Sequence, residues 1–297
     1  MSLSSYALHT ETLDCLLIGK VLIIGDAGAG KTSLFNKFIG KGFCEHTPTT
    51  IGIDFHSTEV RIDHNRLSTQ LSSKLEKIVN KQNHETHIKT QTKAIYDSSS
   101  TLTPKSKDLI PLVKNKIIKT LKSNPNTGIK LQLWDAAGQE KFRSIVKAYY
   151  RNSSIILLVF DLYNRESFEH LISWIDQVLN SNKWDNEFPL FFLIGNKNDL
   201  DSSHLVKPIT QEEIDNFCDH YKVTSYYSIS AKLDEARIKT ILIDIAHELY
   251  FHAEFVHELR SFIHNPSLAS GNSSTIAKSN QISEEQLVRQ AACCLLL

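Results

Sequence analysis

The stretch KVLIIGDAGAGKTSLFNKFI, residues 20–39, decides the fold. Its opening run, Lys20–Ile24, is short, apolar and closed by Gly25, which is the pattern of a buried strand. Its closing run, Lys31–Ile39, reads as a helix. Between them Gly25–Thr32 spells GDAGAGKT, a match to G-x-x-x-x-G-K-[ST] in the strand–loop–helix setting that this motif requires. Glycines at 25, 28 and 30, with Ala29 between the last two, let successive backbone N–H groups turn inward around phosphate oxygens. The helix N-terminus, Lys31 to Ser33, adds partial positive charge. Lys31 is placed to reach the β- and γ-phosphates, and the Thr32 hydroxyl suits Mg²⁺, which takes oxygen ligands.

Outward from this loop the chain alternates. Phe55–Ile62 and Ile129–Trp134 read as strands, and Ile155–Phe160 (IILLVF) is a continuous apolar run of the kind covered on both faces. Ser167–Asn180 reads as a helix, Leu190–Ile194 as a strand, and Thr210 with Glu213 as a capping box that opens a helix to Tyr221. Thr224–Ile229 is the next strand. Ile238, Ile241, Leu242, Ile245 and Leu249 mark a last helix. The expectation is an α/β fold with a mostly parallel sheet.

The chain has 297 residues, with 33 Lys+Arg against 33 Asp+Glu, so its net charge of +0 excludes a globally basic nucleic-acid binder. Five scattered cysteines make no disulfide framework and no CxxC pair, which fits a reducing compartment. Locally the balance breaks: Arg66 to Gly128 holds about 12 basic and about 4 acidic residues. That stretch lacks aromatics except Tyr96, so base stacking on it is disfavoured. It reads as a basic, low-complexity insertion over 63–127 in a domain spanning 19–264, between an N-terminal extension (1–18) and a flexible tail (265–297). Within it Leu67, Leu71, Leu75, Ile78 and Val79 share one helical face, and Ile110, Val113, Ile117 and Leu121 another. Two readings stand: chance periodicity, or basic amphipathic helices that fold on an acidic lipid or partner surface.

Three further motifs carry chemistry. Asp135-Ala-Ala-Gly138-Gln139 follows a strand end, where an acid can hold Mg²⁺ through water, Gly138 can bring its N–H to a γ-phosphate, and Gln139 can orient an attacking water. Asn196-Lys197-Asn-Asp199 follows the next strand but one; the Asp199 carboxylate can accept the two N–H donors of a guanine edge and so selects GTP over ATP. Ser230-Ala231-Lys232 follows the final strand, where a backbone N–H can meet the guanine oxygen.

In this order GDAGAGKT, WDAAGQE, NKND and SAK resemble the motifs of the Rab-type small GTPases of the Ras superfamily. Thr50-Ile-Gly-Ile-Asp-Phe55 resembles the Rab switch I, and Gln139-Glu-Lys-Phe-Arg with Tyr149-Tyr-Arg151 resembles switch II and its helix. The resemblance implies a P-loop NTPase-type G domain: a six-stranded, mostly parallel sheet with helices on both faces. It implies GTP/GDP and Mg²⁺ as cofactors, with Thr32, Thr50 and Asp135 at the metal. It further implies Phe43 edge-on to the guanine, Lys197 along the guanine face, and Gln139 with Lys31 as the catalytic pair. Partners follow: effectors, an exchange factor, a GTPase-activating protein and the prenyl-transfer machinery. The terminal Cys293-Cys294-Leu-Leu-Leu fits geranylgeranyl attachment, hence the cytoplasmic face of an internal membrane with a cytosolic pool.

Two departures bear on rate. Ala27 stands where relatives carry Ser or Gly, and its methyl crowds the γ-phosphate and attacking water. Thr47 stands where many carry an aromatic. Slow hydrolysis is expected; a GTP-bound scaffold with little hydrolysis is the alternative.

Overall fold

The computed structural model describes residues 13–63, 126–139, 143–181, 189–200 and 209–264, together with 65–67, 69, 115–117, 119, 120 and 123. Six strands form one sheet: β1 (Asp14–Ile24), β2 (Ile53–Arg61), β3 (Thr127–Ala136), β4 (Ile155–Asp161), β5 (Leu190–Asn196) and β6 (Ser225–Ser228). Their order is β2-β3-β1-β4-β5-β6. All pairs are parallel except β2–β3, which runs antiparallel from Ile53 opposite Ala136 to Arg61 opposite Gly128.

Helices cover both faces because the central strands are apolar on both. Every residue of β4 and β5 is buried. In β1, Val21 and Ile23 point to one core, shared with α1 (Lys31–Phe38) and α6 (Glu235–His264). Leu22 and Ile24 point to the other, shared with α2 (Arg143–Tyr150), α4 (Leu171–Asn180) and α5 (Gln211–Tyr221). Each fully buried Leu or Ile contributes roughly 1.5–3 kcal/mol relative to exposure. The expected capping box is present: the Thr210 hydroxyl accepts from Glu213 N and the Glu213 carboxylate accepts from Thr210 N. The expected helix over 167–180 is divided at His170 into a short α3 (Arg165–Glu169) and α4.

Two elements run further than the sequence reading marked. The domain does not start at 19: β1 begins at Asp14, paired with Thr127, because β3 is long enough to extend the parallel ladder. The last helix, marked in the sequence by Ile238 to Leu249, runs 30 residues to His264, about 45 Å. The cause is the insertion. Its described ends are helical, at 65–67, 69, 115–117, 119, 120 and 123. Leu67 and Ile117 are almost wholly buried in the core that contains Phe251, Phe255 and Val256 of α6. Polar contacts fix the same join. Arg66 pairs with Asp244, Lys116 with Glu258 at 2.5 Å, and the backbone N–H of Asp63 donates to Nε2 of the buried His247 at 2.8 Å.

So the stem of the insertion directs two of its cations to α6 rather than outward. The remaining helical-face residues, Leu71, Leu75, Ile78, Val79, Ile110, Val113 and Leu121, lie outside the described residues, as do the tail and Cys293 and Cys294. Among the described residues no helix is long and apolar enough to cross a membrane.

Candidate nucleotide site

The insertion leaves the sheet at Arg61, the end remote from the carboxyl ends of β1 and β3. In open α/β sheets ligands bind beyond those carboxyl ends. A cleft of about 450 Å³ lies there. It is lined by Ala27, Gly28, Gly30, Lys31, Thr32 and Ser33 of the loop and α1, by Phe43 and Thr50, by Gly138 and Gln139, and by Asn196, Lys197, Asp199, Ala231 and Lys232. Gly25, Ala29, Asp135 and Ser230 of the sequence-derived set do not line it. Of these, Ala29, Asp135 and Ser230 bond to residues that do.

Local geometry explains the residue types. Gly30, the N-cap of α1, sits at φ 91°, and a Cβ there would meet the Asn196 side-chain nitrogen at 2.1 Å. That nitrogen donates to Ala29 O at 2.9 Å, and the Asn196 oxygen accepts from Ala231 N at 2.9 Å. One buried amide thus ties the phosphate loop to the loop after β6. A Cβ on Gly138 would stand 2.4 Å from Lys31 Nζ and 2.6 Å from Ala27 N, so only glycine lets this turn approach the loop.

At the cleft's inner end three oxygens converge. Thr32 Oγ1 donates to Asp135 Oδ2 at 2.6 Å and lies 2.6 Å from Thr50 Oγ1. Asp135 is fully buried and its Oδ1 has no hydrogen-bond partner. Burial pushes its carboxyl up to about 6, against the opposing effects of the Thr32 bond and the Lys31 charge. A hard cation is what such a donor set lacks: two hydroxyls and an under-satisfied carboxylate suit Mg²⁺ with several retained waters. Beside them Lys31 is almost wholly buried, and its Nζ donates to Asp26 O at 2.7 Å. Burial lowers its ammonium to about 8, with Asp135 and Asp26 pulling the other way. A polyanion in the cleft would favour the charged form and raise it again. Gln139 Oε1 is a buried acceptor with no hydrogen-bond partner.

At the outer end Lys197 stands at φ 65° and its Nζ donates to Asp161 Oδ2 at 2.7 Å, which lays its stem along the cleft. Asp199 is exposed at the rim. Ser230 Oγ accepts from Lys232 N and Leu233 N, shaping that loop. Lys232 Nζ donates to Glu45 Oε1 at 2.8 Å and lies 5.8 Å from the centre of the Phe43 ring.

The sequence reading missed Glu45, Asp161 and Asp26. Each acts through a partner remote in sequence, and no motif encodes such pairs.

Comparisons with known proteins place the chain in a family. The "Ras family" model matches residues 106–251, and a "Ras of Complex, Roc, domain of DAPkinase" model matches residues 20–76. The break between the two falls inside the insertion. The chain is 30% identical over 214 residues to the "Ypt/Rab-type GTPase avaA" of Emericella nidulans, covering 72% of this chain and 73% of that protein. The chain belongs to the Rab/Ypt-type GTPases. It is also 30% identical over 215 residues to the "Ypt/Rab-type GTPase ypt7" of Pyricularia oryzae, covering 72% of this chain and 73% of that protein. Identity to the "Ras-related protein rab-39" of Caenorhabditis elegans is 28% over 205 residues, or 69% of this chain and 62% of that relative's length. For a Rab/Ypt-type GTPase the departure lies in the stem between β2 and β3, which leaves the nucleotide cleft intact.

Proposed function

We propose that this Rab-type chain is a GTP-driven switch that hydrolyses bound GTP slowly and, in its GTP form, recruits effectors in vesicle trafficking. The observation that carries the reading is the convergence of Thr32, Thr50 and Asp135 beside the buried Lys31, at the end of a cleft whose other end carries Asn196, Lys197 and Asp199. A phosphate-binding end and a base-selecting end are set one cleft apart.

Gly28, Ala29 and Gly30 offer backbone N–H groups to the phosphates, and Lys31 neutralises charge at the transferred group. Thr32, Thr50 and Asp135 would hold Mg²⁺, which supplies charge neutralisation at the β- and γ-phosphates when bound. Gln139 is the residue for the attacking water: its unpartnered Oε1 can accept a water O–H. Phe43 packs on the guanine edge, Asp199 accepts its N–H donors, and the Ser230–Lys232 loop meets its oxygen. Ala27 crowds this geometry, which slows hydrolysis. Thr50 belongs to both the metal site and the segment carrying exposed Ile51 and Phe55, so loss of the γ-phosphate would release that apolar face. Effectors would read that face; an exchange factor and a GTPase-activating protein would reset the switch. Geranylgeranyl groups on Cys293 and Cys294, added by the prenyl-transfer machinery, would anchor it to the cytoplasmic face of an internal membrane, since one chain alone binds only marginally.

The deciding experiment is single-turnover hydrolysis of bound GTP with Mg²⁺, wild type beside Gln139→Leu. Slow hydrolysis that the substitution abolishes supports the timed switch. Equal inertness with retained GTP points to the scaffold alternative, and failure to retain GTP overturns both.

A further inference from the structure

We propose that Asp26, clamped by His170 and Trp174, is a positioning residue for GTP turnover that fixes the phosphate loop from outside the cleft. The inference rests on the GTPase reading above. Asp26 does not line the cleft. Its carboxylate instead takes two contacts from the start of α4. Oδ1 accepts from Trp174 Nε1 at 2.9 Å, and Oδ2 lies 2.5 Å from His170 Nδ1. The two partners are one helical turn apart, and Trp174 is wholly buried, so its indole N–H is a fixed reference point.

The main chain of the same residue faces the other way. Asp26 O accepts from Lys31 Nζ at 2.7 Å and from Ala29 N at 3.3 Å. The next amide, Ala27 N, lies 2.6 Å from where a Gly138 Cβ would stand, against the turn that carries Gln139. Asp26 is therefore a rivet. Its side chain is fixed to α4, and its carbonyl sets where the Lys31 ammonium rests. Its following peptide sets how closely Ala27 approaches Gly138, the residue before Gln139. Releasing the carboxylate frees the peptide to rotate, and displacements of about 1 Å in such groups cost up to 100-fold in rate. The clamp also has an electrostatic task. An uncompensated carboxylate behind a polyphosphate site repels the ligand; the contacts to the indole N–H and the imidazole hold it turned toward α4.

The test uses the full chain with Mg²⁺ and measures two rates, single-turnover hydrolysis of preloaded GTP and dissociation of fluorescent GDP. The variants are Asp26→Ala, Asp26→Asn, His170→Ala and Trp174→Phe. Asp26→Ala is expected to slow hydrolysis about tenfold or more, and the two partner variants about three- to fivefold. Asp26→Asn, which keeps an oxygen for Trp174, is expected to recover to within about threefold of wild type, and GDP dissociation is expected to change less than hydrolysis. Asp26→Ala combined with His170→Ala is expected to be no slower than Asp26→Ala alone. Hydrolysis within about twofold of wild type in all variants, with only the thermal midpoint lowered, overturns the proposal. Should Asp26→Ala fail to fold, the half-exposed His170 decides, because its removal leaves the core intact. A wild type that retains no GTP overturns the GTPase reading instead, and a hydrolysing wild type with unaffected variants overturns the clamp alone.

Discussion

The two ends of the central sheet are built on different terms. At the carboxyl ends of β1, β3, β5 and β6 sit four short loops whose residues are fixed by chemistry: a glycine where a Cβ would strike Asn196, a carboxylate beside two hydroxyls, and a lysine under a carbonyl. At the opposite end sits an insertion stem whose Leu67 and Ile117 share the core that contains Phe251, Phe255 and Val256 of α6, and whose Arg66, Lys116 and Asp63 pair with Asp244, Glu258 and His247. The first end is exacting because its groups must meet one ligand; the second, where an apolar patch is backed by two ion pairs and the Asp63–His247 bond, is permissive. A family can therefore keep one and elaborate the other, because loop-closure cost grows only slowly with length.

The largest effect should fall at the exacting end. Lys31→Met removes the buried cation proposed to meet the phosphates and leaves Asp135 without its neighbouring charge. GTP affinity is expected to drop about thousandfold or more, roughly 4 kcal/mol, read by fluorescent-nucleotide titration. The fold should persist, since the methionine keeps the apolar stem. If affinity fell by less than about tenfold, phosphate would not be the ligand at this end, and the contrast between the two ends would lose its basis.

Next comes the permissive end. Ile117→Ala opens a cavity beside α6 and is expected to cost about 3 kcal/mol of unfolding free energy in urea, with GTP affinity unchanged. A cost below about 0.5 kcal/mol would mean that the stem rests on the domain without belonging to its core. Asn196→Ala falls at the join between loops. It strands two buried backbone groups, Ala29 O and Ala231 N, and is expected to cost about 2 kcal/mol together with faster nucleotide release, measured by urea unfolding and by GDP dissociation. Stability and release should move together here and separately at Ile117, which sharpens the difference between the two regions.

That difference also explains what the sequence disclosed. The phosphate loop, the Asp135 turn, Asn196–Asp199 and Ser230–Lys232 are each contiguous, because one turn of backbone has to present several groups to one ligand. The alternation of buried strands and capped helices was legible for the same local reason, as with the Thr210–Glu213 box. The extension of β1 back to Asp14 was not legible, because the partner that pairs with it, Thr127, lies across the whole insertion. Nor was the length of α6: Phe251, Phe255 and Val256 have no reason to be buried until Leu67 and Ile117 arrive. Arg66 and Lys116 read as part of a free basic surface, and only the fold pairs them with Asp244 and Glu258. Asp26 sits inside the most legible motif of all, yet its partners His170 and Trp174 are set by the packing of α4 and not by spacing.

The smallest expected effect is a pH dependence confined to the permissive end. His247 is buried, with Nδ1 donating to Ile243 O and Nε2 accepting from Asp63 N, which fixes the neutral Nδ1–H form. Burial is the main cause that lowers its pKa below the usual 6.5, and the Arg66 charge adds to it, while the Ile243 and Asp63 bonds and the Asp63 charge oppose. Because the unfolded imidazole takes up a proton first, folding releases protons as pH falls below about 6.5, and stability declines there by at most about 1.4 kcal/mol per pH unit. Asp135 has the opposite sign: its raised pKa means that its share of stability is lost as pH rises through about 6. Lys31, lowered to about 8, acts only at higher pH. The two acid-range contributions would partly cancel in the wild type alone, so the measurement is a difference. Urea stability at pH 7.5 and at pH 5.5 is compared between wild type and His247→Gln, whose amide oxygen can still accept from Asp63 N. The variant should lose less stability on acidification than the wild type, and hydrogen exchange should place that difference at the Asp63 amide and in α6 around Phe251–Phe255. Equal losses in the two proteins, or a difference spread to the Lys31 loop, would mean that the imidazole does not hold the stem to the helix.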